Sequence, residues 1–277
     1  MKYLIVIFLF LLAASPVFAN PFSGGDGSPE NPYQIRTLEE LEAVSDYPDK
    51  HFIQKANIRK PLTEPLCSTW DWRYKFTGSY NGNGFLINLN IVNTDTVRDS
   101  YEALFAHVAG NAVIKNVVTV GSVRGNHAAG IASMIMNTTN TQDSGVRIIN
   151  NVNNARIEGR LGAAGIIAKW CSIGIIDNNT NNGSIVSTNR TVHLGGIIAD
   201  MWDNHPVVVS NNKNSGTLID NSNFNDIGDC GTSGILGTIH HINIEAVLKK
   251  NINHGVMINN GKANPPRVIK GIANISN

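Results

Sequence analysis

From Ile87 to Ile91 the chain alternates apolar and polar residues without a break, Ile-Asn-Leu-Asn-Ile. This is the pattern of a strand with one face buried and one exposed. Residues 32–35 and 51–58 read as earlier strands. Between them Leu38, Leu41 and Val44 recur at helical spacing on one face. Thr37 and Glu40 stand three residues apart as a capping box, so a short helix is predicted to start at Thr37 and to stop before Pro48.

In the second half of the chain two phrases recur together. Gly130-Ile131-Ala132 returns as Gly165-Ile166-Ile167-Ala168, Gly196-Ile197-Ile198-Ala199 and Gly234-Ile235-Leu236-Gly237. Each precedes an asparagine phrase: Asn150-Asn151-Val152-Asn153, Asn178-Asn179-Thr180-Asn181, Asn211-Asn212-Lys213-Asn214 and Lys250-Asn251-Ile252-Asn253. The asparagine phrases begin 28, 33 and 39 residues apart. Such periods mark a solenoid, in which each coil buries its apolar face only when the next coil stacks on it. Each coil is predicted to hold a Gly-Ile strand, a variable loop and an Asn-turn strand. The expected architecture is all-β, with one structural domain over residues 20–277: an N-terminal cap and first coil at 20–75, repeats at 76–258 and a C-terminal cap at 259–277. The helix near Thr37 would cover the exposed end of the stack.

Stacked strands lie ~4.8 Å apart, close enough for equivalent asparagine amides to bond from coil to coil. A ladder of Asn153, Asn181, Asn214 and Asn253 is therefore expected. The glycine two residues beyond, at Gly183, Gly216 and Gly255, is expected to supply a corner turn; Ala155, which replaces it in the first copy, would have to avoid positive φ or be strained.

The first residues add a destination. Lys2 precedes an almost wholly apolar run, Ser15-Pro16 breaks it, and Val17-Phe18-Ala19 gives a small-residue cleavage site, the form of a signal peptide over residues 1–19. The expected product is secreted, periplasmic or held at the cell surface, with no membrane span. The chain carries 22 basic and 21 acidic residues, which excludes the positive field that nucleic-acid binding needs. It holds 37 asparagines, interleaved with Ile and Val as strands and turns rather than as a disordered tract. Cys67, Cys171 and Cys230 allow at most one internal disulfide; Cys171, inside a repeat, is expected to be buried.

Residues 76–91, Phe-Thr-Gly-Ser-Tyr-Asn-Gly-Asn-Gly-Phe-Leu-Ile-Asn-Leu-Asn-Ile, resemble the opening motif of GLUG-repeat proteins. The same segment occurs in the non-catalytic N-terminal region of some bacterial immunoglobulin A1-specific metallopeptidases. The resemblance continues through Val113-Ile114-Lys115-Asn116-Val117 and the four phrase pairs. It implies a right-handed parallel β-helix on a secreted or cell-surface bacterial protein. Asn81 stands where the family usually has Asp, and the chain contains no His-Glu-x-x-His, so the peptidase activity of the larger relatives is not implied.

Candidate chemistry lies just past the Gly-Ile strands. Counted from each glycine, Trp170 is at plus five, Trp202 at plus six and His240 at plus six. On adjacent coils they would form an aromatic ridge suited to a sugar ring or a protein partner; the competing role for the tryptophans is core filling. Lys169, Asp200 and Asp203 accompany the ridge without a spacing that fixes a catalytic pair. His240-His241 reads as a surface pair, and Trp70-Asp71-Trp72 as cover for the first coil. No metal site, cofactor or catalytic residue is expected. The function expected is an exported binding or adhesion module contacting a surface glycan or protein. The alternatives are a carbohydrate-active enzyme and a structural envelope protein.

Overall fold

A computed structural model of the chain describes residues 20–69, 71, 74–95, 99–136, 145–188, 193–202, 206–222, 231–240, 246–260, 269–270 and 273–275. The proposed signal peptide, Trp70, Trp72, Asp203, Cys230, His241 and most of the C-terminal cap lie outside the described residues.

The described residues are almost all β, with a short helix and the 3-10 turn that continues it near the N-terminus. Its strands form three sheets, and every pairing is parallel. The chain visits the sheets in rotation. Phe105–Ala109 lies in one sheet, Val113–Lys115 in a second and Val118–Ala129 in the third; Ala132–Met136 then returns to the first, beside Phe105–Ala109. The next circuit runs through Val146–Ile149, Arg156–Ala164 and Ile167–Cys171 in the same order. Each circuit therefore lays one strand on each of two walls and one to three strands on the third, and apolar side chains from all three fill the interior.

The helix Leu38–Glu42 starts where the capping box places it. Glu40 N donates to Thr37 Oγ1 at 3.2 Å, and Thr37 N donates to Glu40 Oε2 at 3.1 Å. Leu38, Leu41 and Val44 are buried against the first coils. The neighbouring interior is aromatic: Phe52, Phe76, Tyr80 and Phe105 pack in sequence, with the Phe76 and Phe105 rings 4.6 Å apart.

Two buried asparagine columns run along the repeats. Asn153 Nδ2 donates to Asn181 Oδ1, Asn181 to Asn214 and Asn214 to Asn253, each at 2.8 Å. Thr119 Oγ1 begins this column by donating to Asn153 Oδ1 at 3.0 Å. The second column is formed by Asn151, Asn179, Asn212 and Asn251, linked in the same direction at 3.0 Å. Its amides also donate to the carbonyls of Ile114, Ile148, Ile176 and Val209. The sequence reading assigned a ladder only to the first column.

The corner glycines need a correction. Gly183, Gly216 and Gly255 are absent from the positive-φ positions; the left-handed residues are Asn150, Asn178, Asn211 and Lys250, with φ between 53 and 58°. Asparagine tolerates that region because its short side chain hydrogen-bonds locally, and Lys250 takes it without that help. The glycines are required by close approach instead. A Cβ on Gly183 would sit 1.9 Å from the Ala155 carbonyl oxygen, and one on Gly216 would sit 1.9 Å from that of Gly183. Ala155 is thus not strained by positive φ; its backbone is what the next coil's glycine packs against. Cys67 is buried, and burial pushes its thiol up to about 12. Cys171 is half-buried rather than enclosed, since it follows the inward Trp170 by one residue.

Substituting inside a column removes a donor and an acceptor from buried partners, whereas the neighbouring exposed Asn182 has water to replace its bonds. Asn181→Leu is expected to cost ~2–4 kcal/mol in a denaturant titration, and Asn182→Leu less than ~0.5 kcal/mol. Equal losses would show that the column is not what holds adjacent coils together.

Candidate functional site

The registers show what the sequence count conflated. Position plus five is one column, Ile135, Trp170, Met201 and Ile239. It faces inward: Trp170 is 1% exposed, and its indole N–H donates to the Ser172 carbonyl. Trp170 is therefore a core side chain, not part of a recognition ridge. Position plus six holds Trp202 and His240. Their rings stack with centroids 4.1 Å apart, Trp202 being 37% exposed. His240 is buried at 6%, which corrects its reading as a surface residue.

A column at plus four stands beside them: Met134, Lys169, Asp200 and Thr238. Across the corner, the strands of the third sheet align Tyr101, His127, Gly162, His193 and Gly231. The two columns converge where the chain turns through each Gly-Ile phrase. The tight turn depends on glycine, since a Cβ at Gly196 would meet the Gly234 carbonyl oxygen at 2.0 Å. Polar, ionisable side chains thus collect at one corner, on the side of these strands away from the plus-five column.

The densest part of the corner is His193, Asp200 and His240. Asp200 Oδ1 lies 2.9 Å from His240 Nε2, and Asp200 Oδ2 lies 3.9 Å from His193 Nε2. The Trp202 indole N–H donates to Asp200 Oδ2. His193 Nδ1 is 2.9 Å from Thr238 Oγ1. The closest pair is at ion-pair distance but out of line for a hydrogen bond, so Asp200 Oδ1 and His240 Nε2 are both buried without a hydrogen-bond partner. Burial alone would raise the Asp200 carboxyl; His240 and His193 beside it and the Trp202 N–H outweigh that and hold it below the usual carboxylate range. The Lys169 amine sits 4.8 Å from the centroid of the Trp202 ring. Sequence reasoning missed His193 altogether, although it stands three residues before its Gly-Ile glycine as His127 does before Gly130.

Further along the same corner, His127 stacks on Tyr101 at 5.0 Å and 13°. A cavity of about 340 Å³ opens beside Tyr101, lined also by Glu64, Asp99, Glu102 and His107. The Glu102 carboxylate accepts from Asn93 Nδ2 and from Asn126 N, both at 2.9 Å. Burial nevertheless raises its pKa above the usual value. A Cβ at Gly125 would overlap that carboxylate at 2.1 Å, so glycine there makes room for it.

His127 gives the corner a pH signature. Burial first, then the positive charges of Lys169 and His193, bring its pKa down to about 4, against the opposing pull of Asp99 and Asp200. The unfolded chain therefore binds more protons than the folded one between pH 6.5 and about 4. The stability this neutral imidazole contributes is complete above pH 6.5 and is lost as pH falls through that window, by up to ~3 kcal/mol. Urea titrations at pH 7.0, 5.5 and 4.5 should show a steeper loss for the wild type than for His127→Gln. Parallel losses would rule out His127 as the titrating group.

No family model matches the chain. Over 125 residues it is 30% identical to a protein of Evansella cellulosilytica described as a candidate Gly-rich membrane protein, a match covering 42% of this chain and 14% of the relative. Over 161 residues it is 28% identical to halomucin of Haloquadratum walsbyi, covering 43% of this chain and 2% of that protein. The chain thus spans only a small part of the curated relatives it matches. No helix among the described residues is long and apolar enough to cross a membrane. The crystal structure of a candidate immunoglobulin A1 protease from Bacteroides ovatus superposes with a TM-score of 0.61 at 18% identity, covering 91% of this chain and 87% of that one. That likeness establishes a shared fold.

Proposed function

We propose that the chain is an exported right-handed parallel β-helix that serves as a binding module, taking a surface glycan or an extended segment of a partner protein along the corner that carries Trp202. One observation carries this reading: ionisable and aromatic side chains occupy facing columns rung after rung on that corner, from Tyr101 and His107 through His127 and Lys169 to Asp200 and Trp202. With rungs ~4.8 Å apart, the four rungs from Tyr101 to His193 extend over ~14 Å, which suits a polymer rather than a small metabolite. Trp202 is an exposed aromatic at this site, with Lys169 over its ring. The three-walled circuit and the likeness to the Bacteroides ovatus protein support the β-helix, while export rests on the signal-like residues 1–19.

A carbohydrate-active enzyme is the second reading. The observation that favours it is Glu102, a buried carboxyl with a raised pKa that lines a cavity beside Asp99 and Tyr101. A carboxyl whose pKa is raised by burial is better suited to general-acid work than an ordinary one. Against it, the Glu102 oxygens already accept bonds from Asn93 and Asn126.

The deciding experiment displays wild type and Trp202→Ala on a glycan array and on bacterial and host cell surfaces, with a parallel screen for depolymerisation. The reading expects wild-type binding that weakens by ~5–30-fold in Trp202→Ala, equivalent to ~1–2 kcal/mol for an aromatic hot spot. Unchanged binding by a folded Trp202→Ala would remove the corner as the site. Turnover that disappears in Glu102→Gln would establish the enzyme instead.

A further inference from the structure

We propose that His193, Asp200 and His240 bind a divalent first-row transition ion, with zinc the best match to their donor set. Two imidazoles and one carboxylate are a recurrent ligand set for zinc, leaving a further position for water or a ligand. Their donor atoms all lie within 4.8 Å of one another, and all three residues are buried. In a tetrahedral site with metal–donor bonds of ~2.0–2.1 Å, neighbouring donors are ~3.3–3.4 Å apart. Asp200 Oδ1 stands 2.9 Å from His240 Nε2, and the donor atoms of all three residues lie within 4.8 Å, so side-chain shifts of about 1 Å bring them to that spacing.

Two independent features point to a cation rather than to a simple ion pair. Asp200 Oδ1 and His240 Nε2 are 2% and 6% exposed at the residue level, and neither atom has a hydrogen-bond partner despite their proximity. Leaving two such atoms unsatisfied costs ordinary structures free energy; one ion between them satisfies both. The outer partners are also already in place. Thr238 Oγ1 holds His193 Nδ1, which turns Nε2 towards Asp200, and the Trp202 N–H holds Oδ2, which leaves Oδ1 as the donor. Metal-binding histidines and carboxylates are oriented by such second contacts. Because His193 and Asp200 come from one circuit and His240 from the next, the ion would also tie two rungs together across the corner. The inference is independent of whether the corner binds a glycan.

The test uses the protein after tag removal and dialysis against chelator. Zinc is titrated by calorimetry at pH 7.5, and cobalt(II) is added separately for its visible absorption. The expected result is one zinc per chain with a dissociation constant below ~10 μM and an intense cobalt spectrum of tetrahedral type. His240→Ala and Asp200→Asn should each weaken binding by at least ~100-fold. Thr238→Val keeps all three ligands and should weaken binding by ~10–100-fold, as loss of an outer partner does. It decides the matter if the ligand variants do not fold. A folded wild type with no stoichiometric zinc binding overturns the proposal, and so does zinc affinity that is unchanged in Thr238→Val and in any folded ligand variant.

Discussion

The fold depends on one constraint: a buried asparagine amide must find its donor and its acceptor on the coils immediately before and after it. Asn181 receives from Asn153 and gives to Asn214, and both bonds are 2.8 Å long. The amide bond direction is the same along each column, so every internal member is satisfied only if its neighbours are in register. A slip by one residue would leave a row of buried polar groups unpaired, each costing on the order of 1–3 kcal/mol. Alternating burial already opposes a one-residue slip, which would turn the buried face outward; the asparagine columns add the demand that each amide meet its partner on the next coil.

Much of the remaining structure follows from fixing that register. Coils held this close leave no room for a side chain where Gly183 and Gly216 pass the preceding carbonyls. The turn into each asparagine strand must use left-handed backbone, which Asn150, Asn178 and Asn211 accept. Loops of different length then leave without disturbing the walls. The same register makes each residue position a column. This is why residues far apart in the chain, such as His107, Lys169 and Asp200 in one column and His127 and His193 in the facing one, share a single corner. A polar site needs rigid support of this kind, because burying Asp200 beside two imidazoles is tolerable only when the geometry is held.

The all-β character and the stacking of equivalent phrases were legible in the sequence because repetition is a global signal. The capping box at Thr37 and the first asparagine ladder, Asn153 to Asn253, could be read from local spacing, since both depend on residues at fixed offsets. The second ladder was also written in the repeats, as the second asparagine of each phrase, but its inward direction depends on the left-handed residue before it. The site was harder to read. Trp170 and Trp202 differ by one position relative to their glycines, and on a strand one position exchanges the buried face for the open one. His193 and Asp200 are seven residues apart on opposite sides of a glycine turn, and His240 comes from the next coil. No motif of fixed spacing encodes that triad. Only alignment of every coil on its Gly-Ile phrase places the plus-four and minus-three positions opposite each other.

A double-mutant cycle tests the central role of the ladder most directly. Asn153→Ala and Asn181→Ala, adjacent in the column, are measured singly and together by chemical denaturation, beside Asn153→Ala with Asn253→Ala, three coils apart. Adjacent amides that depend on each other predict a coupling energy above ~0.5 kcal/mol for the first pair and additivity within ~0.3 kcal/mol for the second. Additivity in both pairs would contradict the account, because the asparagines would then stabilise their own coils and not the contact between them.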